Sequence, residues 1–209
     1  MLAFASGATD IASFTRLGGV FASVMTGNLV LLGLAIASAS GTLAAHTAVA
    51  FGGYIAGAAT GTVVGERSDS QEQLWPAAVT ACLAIELAAF AVFLTGWELA
   101  DGHPAGAWQP CLLAVGALAM GLQSAAMRSV RAPLATTYLT STLIGAVEEI
   151  VKSGRRGNGM RLSVTVLVSA IAGAAAGGGV LAVAPAALPV LPAGALVAVI
   201  TLAAIGDVR

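Results

Sequence analysis

Of the 209 residues, 58% are hydrophobic and only 9% are charged, with a net charge of −1. A water-soluble domain carries about 25% charged residues, so this composition excludes a soluble fold, and the near-zero charge gives no basis for binding nucleic acid. Aromatic residues are only 5% and glycines number 26, the aliphatic, small-residue mixture of closely packed membrane helices.

Eight apolar stretches follow one another: Leu2–Phe14, Val20–Ala37, Leu43–Val64, Leu74–Gly96, Pro110–Met127, Leu134–Ile150, Leu162–Val183 and Ala187–Ile205. About 20 residues of helix cross about 30 Å of hydrocarbon; several stretches reach this, while the first and sixth are short. The period-two alternation of a barrel wall is absent. Leu17-Gly18-Gly19 breaks the first stretch from the second, and Arg131-Ala132-Pro133 breaks the fifth from the sixth. Polar loops run over 65–72 and 98–109, and 152–161 holds four basic residues. Met1–Ala12 lacks the basic start of a cleavable signal peptide. Trp75, Trp97 and Trp108 stand near stretch ends, where interface anchors are expected.

A single membrane domain, 1–209, is expected, built from internal repeats 1–97 and 109–206. A shift of 114 residues carries Gly7 onto Gly121, Asp10 onto Ser124, Thr26 onto Thr140 and Asn28 onto Thr142. A shift of 116 carries Ile55-Ala56-Gly57-Ala58-Ala59 onto an identical run at 171–175, with Gly61 on Gly177. Charge then decides between topologies. If all eight stretches cross, the nine basic residues divide four against five. If the second and sixth dip in and return, six cross and eight basic residues share one face, leaving Arg16 opposite. The positive-inside tendency favours the second arrangement. It places both termini in the cytoplasm and gives each half three crossings, so the halves are inverted. The expected fold is an all-α polytopic membrane protein of six transmembrane helices and two short re-entrant helical segments.

Inverted repeats with interrupted helices are a frequent plan of secondary transporters. Asp10 and Glu86 lie inside apolar stretches, where carboxylates are expensive and face a partner or cavity. Thr26, Gly27 and Asn28 group a hydroxyl, a reachable backbone and a carboxamide. In the second half Thr136, Thr137 and Thr140 belong to a row of hydroxyls, and Gln123 reaches towards the same polar centre. Hydroxyls bonded to carbonyls one turn back would make the same motifs mere helix glue. Gly53, Gly57, Gly61 and Gly65 recur every four residues, echoed by Gly173 and Gly177, as a close-packing face between halves or between two copies. Cys82 and Cys111 are expected as small buried side chains. His46 and His103 form no ligand-spaced cluster, so no metal or cofactor is expected. No HExxH, GxSxG, Walker or dinucleotide pattern occurs, which argues against an enzyme.

The chain resembles the YoaK family, also called DUF1275, of bacterial integral membrane proteins. The resemblance rests on Ser6-Gly7-Ala8-Thr9-Asp10, on Leu17-Gly18-Gly19-Val20-Phe21 through Met25-Thr26-Gly27-Asn28, on Met120-Gly121-Leu122-Gln123-Ser124-Ala125, and on Ala135-Thr136-Thr137-Tyr138-Leu139-Thr140. It implies about six transmembrane segments in the bacterial inner membrane and supplies no catalytic residue. The expected function is transport or permeation of a small polar or ionic solute through a site of Asp10, Thr26, Gly27, Asn28, Gln123, Thr136, Thr137 and Thr140. The alternative is a scaffold or interaction protein. Its expected partners are the lipid bilayer and, through the glycine-rich faces, a second copy.

Overall fold

In lipid every backbone polar group must be paired within the chain, which leaves helices as the spanning form for these aliphatic stretches. The computed structural model describes residues 1–66, 76–130, 142–145, 147, 148, 151 and 158–206. Its helices are α1 (Leu2–Arg16), α2 (Met25–Ala37), α3 (Gly41–Glu66), α4 (Ala77–Leu99), α5 (Trp108–Ser129), α6 (Asn158–Val183) and α7 (Val190–Gly206). A short 3₁₀ turn, Pro185–Ala187, joins the last two, and residues 142–145, 147, 148 and 151 are also helical.

Among the described residues, five segments, Gly41–Glu66, Ala77–Leu99, Trp108–Arg128, Gly159–Val183 and Pro185–Ile205, are long and apolar enough to cross a membrane. The chain is thus an all-α polytopic membrane protein. With 15 residues, α1 is about 22 Å long at about 1.5 Å per residue, short of the hydrocarbon thickness. The second apolar stretch, read as Val20–Ala37, is helical only from Met25. Gly18 (φ 97°) and Gly19 (φ 75°) take the left-handed region and turn the chain out of α1. The ring of His46 on α3 packs where a Gly18 side chain would be, so α3 itself holds the break.

The helices pair across the chain: α3 lies on α5, α1 on α6, and α1 also crosses α5. Glycine sets the first two contacts. A Cβ on Gly57 would strike the Leu118 carbonyl and one on Gly173 the Phe4 carbonyl. One on Gly121 would strike the Tyr54 carbonyl, and one on Gly7 the Ala170 carbonyl. Gly61 meets Ala125 and Leu122, while Gly177 meets Ile11 and Ala8. Residue numbers rise together along each seam, so both pairs run parallel. Such backbone-to-backbone approach supplies the dispersion contact that helix association in lipid depends on. Gly53, Gly57 and Gly61 therefore face α5 inside the molecule, whereas Gly52, Gly178 and Gly179 have nothing within 4 Å.

The α1·α5 crossing has the opposite sense. The Gln123 carboxamide donates to Ser6 Oγ (2.9 Å) and Leu2 O (3.5 Å), while Thr9 Cγ2 lies 3.7 Å from a Cβ placed on Gly116. Early α1 thus meets late α5, and later α1 meets earlier α5, as in an antiparallel pair. Behind this crossing, α4 contributes Phe90, Phe93 and Trp97 to the core, with Phe93 stacked on Trp97, ring centroids 5.5 Å apart. Trp97 is not the interface anchor its position near a stretch end predicts. It is wholly buried, and its indole N–H donates to Pro185 O (2.8 Å). Trp108, by contrast, is exposed.

Candidate functional site

The break between α1 and α2 is where the distinctive sequence motifs meet. Leu17, Val20 and Ala22 are fully buried, so the extended segment is packed and not a surface loop. Its backbone lacks helical partners, and two side chains replace them. Asn28 Oδ1 accepts from Phe21 N–H (2.9 Å), and Asn28 Nδ2 donates to Phe21 O (2.7 Å). One carboxamide therefore satisfies both backbone groups of one residue, as a neighbouring strand would. Asp10 acts two residues later: Oδ1 accepts from Ser23 N–H (2.8 Å) and Oδ2 from Ser23 Oγ (2.5 Å). Phe14 stacks on Phe21 with centroids 5.0 Å apart, and Gln109 Nε2 donates to Arg16 O (3.1 Å) where α1 ends.

Asp10, Gly27 and Asn28 thus come together around residues 21–23. The bare Cα of Gly27 is what allows Phe21 to lie close, since a Cβ there would be 3.3 Å from the ring. Asn28 is completely buried, Asp10 partly exposed, and Thr26 exposed. Asp10 also takes a backbone hydrogen bond from Ala22, and the Asn28 carboxamide is committed to Phe21. Gln123 is buried against Ser6, one helical turn before Asp10 on α1. Thr136, Thr137 and Thr140 lie outside the described residues. Tyr54 OH donates to Ser124 Oγ (2.8 Å), which itself donates to Met120 O (2.8 Å).

Sequence reasoning missed Ser23, Ser6 and Phe21. A hydroxyl residue inside a break next to a membrane-buried Asp is a usable signal for Ser23. Phe21 contributes only its backbone, for which side-chain identity carries no signal. Along α1 the hydroxyls of Ser6, Thr9 and Ser13 bond to the carbonyls of Leu2, Ala5 and Thr9, the helix-internal pairing expected in a dry setting. Two open grooves lie elsewhere. One, about 450 Å³, runs between α4 and α5 beside Thr95, Trp108 and Cys111, and the other, about 440 Å³, lies between Met1, Phe4 and α7. Neither includes Asp10, Thr26, Asn28 or Gln123.

A family model described as a protein of unknown function (DUF1275) matches residues 1–203. The chain belongs to the DUF1275 family. This DUF1275 protein is 33% identical over 156 residues to the UPF0700 transmembrane protein YoaK of Bacillus subtilis (strain 168), across 74% of its own length. The match spans 66% of that relative, just under two thirds of it. No solved structure matches the chain. DUF1275 membership makes this a bacterial multi-pass membrane protein. No group of three or more His, Cys, Asp or Glu side chains is placed to hold a metal among the described residues.

Proposed function

We propose that this DUF1275 protein moves a small polar or ionic solute across the bacterial inner membrane, with halves 1–97 and 109–206 inverted and both termini in the cytoplasm. On this reading six segments cross, α1 entering from the cytoplasmic side, and the second and sixth apolar stretches dip in and return. The solute meets Asp10, Thr26 and Gln123 from one side and Thr136, Thr137 and Thr140 from the other. Gly27 and Asn28 shape the broken backbone between them.

The observation that carries the reading is the antiparallel crossing of α1 and α5. Eight crossings would run these two helices in the same direction. Three crossings per half would run them in opposite directions, the sense in which the contacts Gln123–Leu2 and Thr9–Gly116 run, and this supports the reading. The correspondence extends to both glycine seams. Shifts of 114 on α1 and 116 on α3 carry Phe4–Gly173 onto Leu118–Gly57, and Ala8–Gly177 onto Leu122–Gly61. An interrupted segment held by side chains at the meeting of two such halves is where transporters of inverted plan bind solutes. One observation favours the scaffold reading instead: the full commitment of the Asn28 carboxamide to Phe21.

Two measurements test this. Single cysteines at Ser40 and Ser153, in a Cys82→Ala/Cys111→Ala background, are expected on opposite faces. An impermeant maleimide should label Ser40→Cys on intact cells and Ser153→Cys only after lysis; labelling on one face sinks the inverted arrangement. Second, a panel of small amino acids, carboxylates and monovalent ions is screened for thermal stabilisation of the purified protein. A solute at 100 times its dissociation constant adds about 2.7 kcal/mol, and Thr26→Val and Asp10→Asn should each remove most of that shift. A hit that survives both changes clears the motif of any part in binding, and a panel without hits favours the scaffold.

A further inference from the structure

One helix carries a group that the site above does not use. The inward column of α4 is Cys82, Glu86, Phe90, Phe93 and Trp97, each at most 1% exposed. Glu86 is the tenth residue of a 23-residue helix, about 14 Å from its start at about 1.5 Å per residue and so near the middle of the hydrocarbon. Neither of its carboxyl oxygens has a hydrogen-bond partner among the described residues. Buried polar groups are ordinarily paired, and an ionised carboxylate without donors in a membrane interior is among the costliest arrangements available.

No neighbouring charge among the described residues answers it. The elements packed on α4 are α5, α3, α7 and the 3₁₀ turn. On α5 the ionisable residues are Cys111 and Arg128, both exposed. On α3 they are His46, which lies under Gly18, Tyr54, which bonds to Ser124, and Glu66, exposed at the helix end. Neither α7 nor the turn has any. On α4 itself Cys82, one turn earlier, turns its Sγ to Gly61 O (3.6 Å) on the α3·α5 seam. The corresponding helix of the second half, α7, packs against α1 and α4 with no ionisable residue at all. A purely packing role is thus filled there by aliphatic side chains, and the fold does not call for an acid.

We propose that Glu86 is a proton-exchange site: its carboxyl carries a proton in the arrangement seen here and passes it to water when the helices packed on α4 part. The step is a proton transfer alone, leaving a carboxylate on Glu86 and a hydronium in the opened path, and reversing on closure. Coupling of that proton to a solute rests on the transport reading; the exchange itself does not.

The test uses the intact protein in its native membrane and the apolar reagent N,N′-dicyclohexylcarbodiimide. Its central carbon takes the carboxyl oxygen and one nitrogen takes the proton, so only the acid form is modified, by net addition. Mass spectrometry of the digested protein is expected to find the adduct on Glu86. Labelling should fall as the pH of a buffer series is raised, because only the acid form reacts. Glu86→Gln should abolish it, and if that variant does not fold, mapping the adduct on the unaltered chain still locates the site. Absence of an adduct on Glu86 throughout the series overturns the proposal. So does labelling that is the same at every pH, which would mark an acid sealed from water. A solute screen without hits leaves this result untouched, so the two readings fail separately.

Discussion

Gly57→Ala is expected to be among the most damaging single methyls that can be added to this protein. The added Cβ would fall on the Leu118 carbonyl oxygen, and the next atoms out are also Leu118 backbone. No side chain can rotate away, so the α3·α5 seam must open along its length. Overpacking of this kind costs about 1–3 kcal/mol, and more where backbone is the obstacle. Gly173→Ala meets the Phe4 carbonyl in the same manner and should cost a similar amount. Gly52→Ala and Gly178→Ala, on the same two helices with open space around them, should be neutral or gain about 0.5–1 kcal/mol from helix propensity. Apparent melting temperatures in detergent for the four variants check the pattern. If Gly57→Ala melts with Gly52→Ala, the close approach of these helices is not a determinant of stability.

Asn28→Ala should be at least as costly and act on a different part of the molecule. It strips Phe21 of the partners for both its N–H and its C=O, at about 1–3 kcal/mol for each group left unpaired away from water. Asn28→Asp is not a rescue. It keeps an acceptor for the Phe21 N–H but sets a second carboxylate oxygen against the Phe21 carbonyl, and it places a charge where the side chain is wholly buried. Hydrogen exchange over residues 17–28 is the direct measurement, since locally opened segments lose amide protection before the whole protein melts. Both variants should exchange faster there, with α3 and α5 protected as before. Unchanged protection of Phe21 would mean that the segment holds its shape through packing of Leu17, Val20 and Ala22 alone.

Much of the fold was legible in the order of apolar stretches, because each helix that crosses lipid must be long, uncharged and bounded by polar or glycine-rich turns. The break at Gly18-Gly19 was readable for the same reason, and Asp10 stood out as a charge among aliphatic neighbours. The partners of these residues were not legible. The recurrence at Gly57, Gly61, Gly173 and Gly177 marked close-packing faces, but nothing in one helix says whether α5, α1 or another copy will fill them. Asn28 pairs with backbone seven residues upstream, a geometry that exists only once the break has its particular shape. Trp97 was misread because an indole near a stretch end looks alike whether its N–H meets lipid headgroups or, as here, the Pro185 carbonyl from a distant turn.

The pairing of α1 with α6 and of α3 with α5 also bears on how the chain is made. A first half emerging alone exposes both of its glycine faces with nothing to set against them. The face of α3 is covered once α5 has been synthesised, but that of α1 waits until residue 173 has appeared behind residue 4. At about 5–20 residues per second that is roughly 8–35 s of waiting in the bilayer. The glycine face of α1 must therefore be held near the insertion site, uncovered, until α6 has been translated.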